Sequence, residues 1–395
     1  MPPIAEELAA WAVGLEPTER DLQLADRALR DTVAVAIAAR EHPVTRIAAI
    51  LPTAARWAVA GHVLDFDDLH MGSTAHVSVV CVPAVLASGG DARAYLAAAG
   101  VMARLGTVLG WSHYAAGWHI TCTAGAPAAA VGAGMALRLT APQLATAIAL
   151  AVPAAGGVQR AFGTDGKSLQ VGFATDAGVR AARLAAAGAT TDVRVLDSWV
   201  GLVSARPATV DLDGPAVPGG LAVKLFPCCY ALQRPIHALS DLARRGVDPA
   251  KVSRIVIRTP AGTVAPLVHH RPDTGLAAKF SMEYAAATAL LGPYQGFASF
   301  TDDAVRRPQA RRLIELVEIE LTEGGDWLLA GEFEAEVHAD GQVHRARSRF
   351  PPGAPQRPAS EREIRGKLED CLAGTGLDAA SITWSSAPDI LRRYL

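Results

Sequence analysis

The sequence predicts a mostly α protein with a smaller α+β domain: a large all-helical region, then a mixed one. Three observations carry this. The chain of 395 residues is 50% hydrophobic but only 6% aromatic, and its abundant alanines let helices pack closely. Apolar residues recur at helical spacing as far as about Arg206. Beyond Pro207–Gly220, a Pro/Gly/Asp-rich stretch that reads as a linker, the period becomes strand-like.

Taken in order, Asp21–Arg40 places Leu22, Ala25, Leu29 and Val33 on one helical face. Ala54–Leu64 and Val77–Leu86 read as buried helices. Asp91–Leu105 and Gly125–Leu139 continue the pattern. Ala141–Val152 follows Thr140, a suitable N-cap, with proline in its first turn. Ser168–Ala187 is the next helix. After the linker, Ser253–Thr259, Glu315–Glu323, Gly331–Val337 and His344–Phe350 alternate as strands. The Asp-Gly inside His338–Val343 marks a hairpin. Helices Pro235–Arg245, Ser281–Leu291 and Glu361–Leu372 are interleaved. The division expected is a helical domain of residues 1–220 and 378–395, enclosing an α+β domain of residues 221–377.

A net charge of −2 gives no broad basic footprint, so nucleic acid is not an expected partner. The five cysteines stand in apolar contexts without metal-ligand spacing, which suits a reducing compartment. Met1–Leu8 carries Glu6 and Glu7 and lacks a basic, then apolar, leader. The longest weakly polar run, Cys122–Leu137, is short for a membrane span. A cytoplasmic protein without membrane partners is the expectation.

The segment Gly61–His76, GHVLDFDDLHMGSTAH, concentrates three carboxylates (Asp65, Asp67, Asp68) and three imidazoles (His62, His70, His76) among apolar residues. Such groups stay in apolar surroundings only when paired. A Mg²⁺ site of the Asp-Asp-x-x-Asp/Glu kind lacks its third carboxylate, because Met71 and Gly72 stand there. Gly132-Ala133-Gly134 follows no strand, so it marks helix packing and not a dinucleotide loop. No metal and no cofactor are expected.

DFDD with His76, then GWHITCTAG (Gly117–Gly125), GTDGK (Gly163–Lys167), KLFPCC (Lys224–Cys229) and FSMEY (Phe280–Tyr284) occur in this order. Together they resemble the MmgE/PrpD family over about Asp31 to Leu372. The resemblance implies a large helical domain with a smaller α+β lid domain, commonly as a homodimer. It also implies a cofactor-free lyase, dehydratase-like, or an isomerase or decarboxylase, acting on a small carboxylate substrate. That chemistry removes a proton or CO2 beside a carboxylate and needs a base near neutral pKa, with cations for the substrate.

Carried over residue by residue, the resemblance makes His119 the acid/base, an imidazole being able to exchange protons near neutrality. Asp65, Lys167 and Tyr284 join it as catalytic candidates, Lys167 as a point charge for a carboxylate. His76 and Lys224 are substrate-binding candidates. At helical spacing Asp65 would share a face with Asp68, leaving one of Asp67 and Asp68 structural. His62 reads as packing and His70 as rim.

The chain also departs from the family. Gln170 and Gln233 replace usual histidines, Leu69 a usual threonine, and Lys279 a usual glutamine. The two glutamines and Lys279 remain substrate-binding candidates. Glutamine hydrogen-bonds but exchanges no proton at neutral pH, so the substrate or reaction is expected to differ from the best-known members. A ligand-binding, non-catalytic member is the rival reading.

Overall fold

Alanine and glycine set the spacing of the helices. The structure, a computed structural model, describes residues 2–205, 209–292 and 296–395. The chain divides into two units. One comprises residues 1–159, 165–223 and 365–395, the other residues 160–164 and 224–364.

The first unit is helical. Helix Asp165–Ala186 packs along helix Thr53–Val63 at Gly172 and along helix Gly125–Ala136 at Gly178. A Cβ on Gly172 would stand 2.6 Å from Val59, and one on Gly178 would stand 2.4 Å from the Ala126 carbonyl. Neither glycine has a left-handed backbone; both are needed for close approach. These two contacts fix Lys167 and Gln170, in the first turns of Asp165–Ala186, beside the segments that carry His62 and His119.

The expected helices appear with small shifts at their ends. Helix Glu19–Ala38 opens on a capping box between Thr18 and Asp21. Its buried face runs through Ala25, Leu29 and Val33, whereas Leu22 is 41% exposed. Ala141–Ala151 opens on the reciprocal Thr140–Gln143 box. Helix Ala92–Ala115 runs past the expected Leu105 with a break at Gly110 (φ 68°). By length and composition it could cross a membrane, but 89% of its apolar window is packed inside the unit. Helices Ile4–Gly14, Val195–Val203 and Ala387–Tyr394 carried no clear sequence signal.

Arg206, Pro207 and Ala208, where the helical region was expected to give way to a linker, lie outside the described residues. The rest of that stretch is held to the first unit. The buried Arg104 guanidinium donates to the carbonyls of Asp211 (3.0 Å) and Ala216 (2.8 Å). Proline and glycine signalled irregular backbone correctly; a long-range arginine decided that it is fixed. Similarly, Lys367 of helix Glu361–Leu372 pairs with Asp31 at 2.6 Å and donates to the Phe66 carbonyl at 2.8 Å. The C-terminal segment thus ties down the acidic loop.

The second unit holds a four-stranded sheet of order β2-β1-β3-β4. Its strands are β1 (Val252–Pro260), β2 (Val317–Thr322), β3 (Phe333–Ala339) and β4 (Gln342–Ser348). β1 pairs parallel with β2 and antiparallel with β3. As an inner strand β1 buries Ile255, Val256 and Ile257 together, so strict alternation fails there. β3 alternates as expected. Asp340 (φ 52°) and Gly341 (φ 74°) make the β3–β4 turn, both left-handed as a tight hairpin requires. Helices Gln233–Arg244 and Met282–Leu290 pack on each other.

Candidate active site

The acidic motif is a loop, so the shared helical face expected for Asp65 and Asp68 does not exist. Helix Thr53–Val63 ends one residue after His62, and Asp65 turns the chain with φ 52°. That left-handed residue without glycine stores about 1 kcal/mol. It sends Asp65, Asp67 and Asp68 in different directions.

Asp68 is structural. It accepts from the Ser78 amide (3.0 Å) and the Ser78 hydroxyl at the start of helix Ser78–Ala87. Burial raises its carboxyl to about 7. His70 is structural too, with Nε2 at 2.7 Å from the Pro218 carbonyl and Nδ1 at 2.8 Å from the Ser73 hydroxyl.

Asp67 is the centre of the cluster. Its Oδ2 accepts from His62 Nδ1 at 2.8 Å and from His76 Nδ1 at 2.9 Å, all three residues being buried. Burial opposes the Asp67 charge, but the two imidazoles outweigh it and hold the carboxyl well below its usual range. Burial in turn depresses His62. Each imidazole therefore donates its Nδ1–H to the carboxylate and carries its lone pair on Nε2. The His76 ring is 9% exposed against 0% for His62, so His76 is the more accessible base.

Lys167 adds the cation. Its Nζ lies 2.6 Å from His62 Nε2 and 3.2 Å from Asp65 Oδ1. His76 Nε2 stands 3.8 Å from that same Asp65 oxygen. His119 stacks on His62 at 5.7 Å between ring centres. Burial first, then Lys167 and the neighbouring imidazoles, hold His119 well below the usual imidazole range. Its Nδ1 contacts Gln170 Nε2 at 2.7 Å and Cys122 Sγ at 3.3 Å. Gly157, at φ 117°, lets the next backbone segment approach, since a Cβ there would stand 2.7 Å from Cys122. The Gly157 carbonyl accepts from the His119 amide at 3.0 Å.

His62, Asp67 and His76 also offer ligand atoms within 4.8 Å of one another. A cation there would have to displace both hydrogen bonds to Asp67 and sit beside the Lys167 ammonium.

The first unit thus brings together Asp65, His76, His119, Lys167 and Gln170 among the sequence candidates. It adds His62, Asp67 and Cys122, which sequence reading assigned to packing or left aside. The available signal was one central carboxylate between two imidazoles in a short apolar stretch.

The other four candidates belong to the second unit, and three of them have evident local duties. Gln233 accepts from the amides of Leu225 (3.2 Å) and Phe226 (3.1 Å) and donates to the Phe226 carbonyl (2.8 Å). With both ends of its amide engaged, it holds the KLFPCC turn. Lys279 donates to the Pro227 carbonyl and lies 4.9 Å over the Phe300 ring. Tyr284, fully buried, gives its hydroxyl proton to the Ser299 carbonyl and packs edge-on against Phe300. In this structure the hydroxyl is therefore held by the backbone of its own unit. Lys224 is completely buried at the start of the unit.

Two family models match most of the chain. Residues 49–206 match the MmgE/PrpD N-terminal domain and residues 226–383 the MmgE/PrpD C-terminal domain. Cis-aconitate decarboxylase of Aspergillus terreus (strain NIH 2624 / FGSC A1156) is 27% identical over 326 residues, 71% of this chain and 66% of the relative. Cis-aconitate decarboxylase of Mus musculus is 28% identical over 220 residues, 51% of this chain and 44% of the relative. That of Homo sapiens is 27% identical over 217 residues, 51% and 45% respectively. The matches span just under two thirds of the fungal relative and under half of the mammalian ones.

Proposed function

The chain belongs to the MmgE/PrpD family, and from that premise we propose that it is a lyase of the dehydratase/decarboxylase class acting on a small polycarboxylate. The observation that carries this reading is the buried Asp67 carboxylate shared by two imidazoles, with Lys167 bridging His62 and Asp65. It supplies the two things the chemistry needs. His76, with its Nδ1–H held by Asp67, can take a proton at Nε2 in a dehydration or return one to the carbanion left by loss of CO2. Lys167 offers a positive charge to a substrate carboxylate and to the negative charge that develops next to it. Burial strengthens both effects, because water does not screen them.

The names of the relatives favour decarboxylation of a cis-aconitate-like substrate over the dehydration that the resemblance first suggested. Leu69 and Gln170, in place of a usual threonine and histidine, favour a substrate related to these but not identical. No metal or organic cofactor enters the proposed reaction, and the homodimer common in the family is proposed for this chain too.

The test is a panel of cis-aconitate, 2-methylcitrate, citrate and iminodisuccinate followed by NMR in D2O. Release of CO2 with one deuterium entering the product supports the decarboxylase; loss of water supports the dehydratase. Deuterium entering without net conversion would assign an isomerase instead. A ligand that binds without any turnover would establish the non-catalytic alternative.

A further inference from the structure

We propose that Gln170 is a positioning residue that holds His119 as its Nε2–H tautomer, so that His119 serves as a neutral hydrogen-bond donor and not as the proton-abstracting base. The role in the reaction rests on the proposed lyase activity; the tautomer does not.

The orientation of the Gln170 amide is fixed independently of His119. Gln170 Oε1 accepts from the Val158 amide at 3.0 Å, and Gln170 Nε2 donates to the Val158 carbonyl at 3.3 Å. A flipped amide would set donor against donor and acceptor against acceptor at the same residue. Nε2 is therefore the atom that faces His119 Nδ1 at 2.7 Å. An N–H aimed at a ring nitrogen requires a lone pair there, so the ring proton sits on Nε2.

A second donor faces the same nitrogen. Cys122 Sγ lies 3.3 Å from His119 Nδ1, and burial keeps that thiol protonated. The Gln170 N–H excludes the other tautomer and opposes the imidazolium, and the thiol can share the same lone pair as a weaker donor. The charged and titratable groups around the ring are Lys167, His62, His76 and Asp65, and the first three also disfavour a proton on it.

The site thus holds imidazoles of opposite kinds. His62 and His76 donate through Nδ1 to Asp67 and are basic at Nε2; His119 is the reverse. A neutral imidazole that donates through Nε2 can stabilise negative charge developing on a substrate oxygen without giving up its proton. A histidine at position 170, as the family commonly has, could donate or accept and would leave the tautomer open. Glutamine with its carbonyl tied to Val158 can only donate. The substitution that removed a titrating group thereby fixed the character of its neighbour.

The experiment is long-range ¹H–¹⁵N correlation NMR of the full chain with ¹⁵N-labelled histidine, without substrate, His119 being assigned by its loss in His119→Gln. The expected pattern is a protonated Nε2 and an unprotonated Nδ1, unchanged on acidification to about pH 5.5. A protonated Nδ1, or an imidazolium, would overturn the proposal. Gln170→Glu, whose carboxylate accepts, is expected to move the proton to Nδ1; an unchanged spectrum there would overturn Gln170 as the holder. In turnover, His119→Gln keeps an N–H donor and should retain about 10-fold more kcat than His119→Ala, with KM little changed. Equal loss in both would overturn the donor role. Failure of every substrate in the panel would refute the lyase reading and leave the NMR result standing, so the two fail separately.

Discussion

The polar side chains of the candidate site and the buried motif residues of the second unit have different kinds of partner. In the first, Asp65, Asp67, His62, His76 and Lys167 bond one another side chain to side chain. In the second, Gln233, Lys279 and Tyr284 bond backbone carbonyls and amides. A side chain that satisfies the backbone holds a turn and has little left to offer a ligand. Side chains that satisfy one another share charge and protons, and a substrate can enter that exchange. Gln170 does both, bonding the Val158 backbone and the His119 ring, a distinction its sequence motif did not show.

Breaking the first network should have the largest effect. Lys167→Met leaves Asp65 without its ammonium partner, and stability should fall by about 3–5 kcal/mol in denaturant unfolding. Activity on whichever substrate the panel identifies should fall at least about 10²-fold. Adding Asp65→Asn removes the carboxylate charge that Lys167 had balanced and should recover much of the stability but none of the activity. Failure of that recovery would show that the pair is not energetically coupled.

Asp67→Ala removes the acceptor shared by two imidazoles. Turnover should fall by about 10²-fold, and stability by about 1–3 kcal/mol. A variant close to wild type in turnover would return Asp67 to a packing role.

Acid should weaken the first unit more than the second. His62 and His119 are depressed, so between their folded values and the usual imidazole value the unfolded chain binds more protons. Their contribution is complete above about pH 6.5 and is lost as the pH falls below it, by about 1.4 kcal/mol per pH unit for each group. His70 and His113 add in the same direction. Asp68, raised to about 7, works the other way over the range above its ordinary value of 3.8. Four imidazoles outweigh one carboxyl, so hydrogen exchange at about pH 5.5 should quicken first in the helical unit. Equal quickening in both units would break the contrast.

The smallest effect belongs to the second unit. Tyr284→Phe loses one hydroxyl bond to Ser299 and should cost about 1 kcal/mol, with kcat within about twofold of wild type. A large loss of kcat at unchanged stability would restore Tyr284 as a catalytic group.

Much of the fold was legible. The longer helices from Glu19 to Ala186 and strands β2, β3 and β4 follow their apolar periods, and the Asp340-Gly341 hairpin follows its turn chemistry. Helix Val195–Val203, with no side-chain cap, gave no comparable mark. In the site, His119, Lys167, Asp65 and His76 were legible as motif residues. Asp67 and His62 were not, because helical spacing was applied to a segment that turns at a left-handed Asp65. For Gln233 and Tyr284 the local partners were not legible, because a motif records a position and not the partner of its side chain.

The sequence by itself determined the two kinds of region, the family, and which segments carry titrating groups. These follow from composition, period and short motifs, all of them local along the chain. Tertiary structure alone decided what each titrating group does. His62 meets Lys167 across 105 residues, and His119 meets Gln170 across 51. Burial obliges every such group to find a partner, and it is the partner that sets which carboxylate is charged and which ring nitrogen holds the proton.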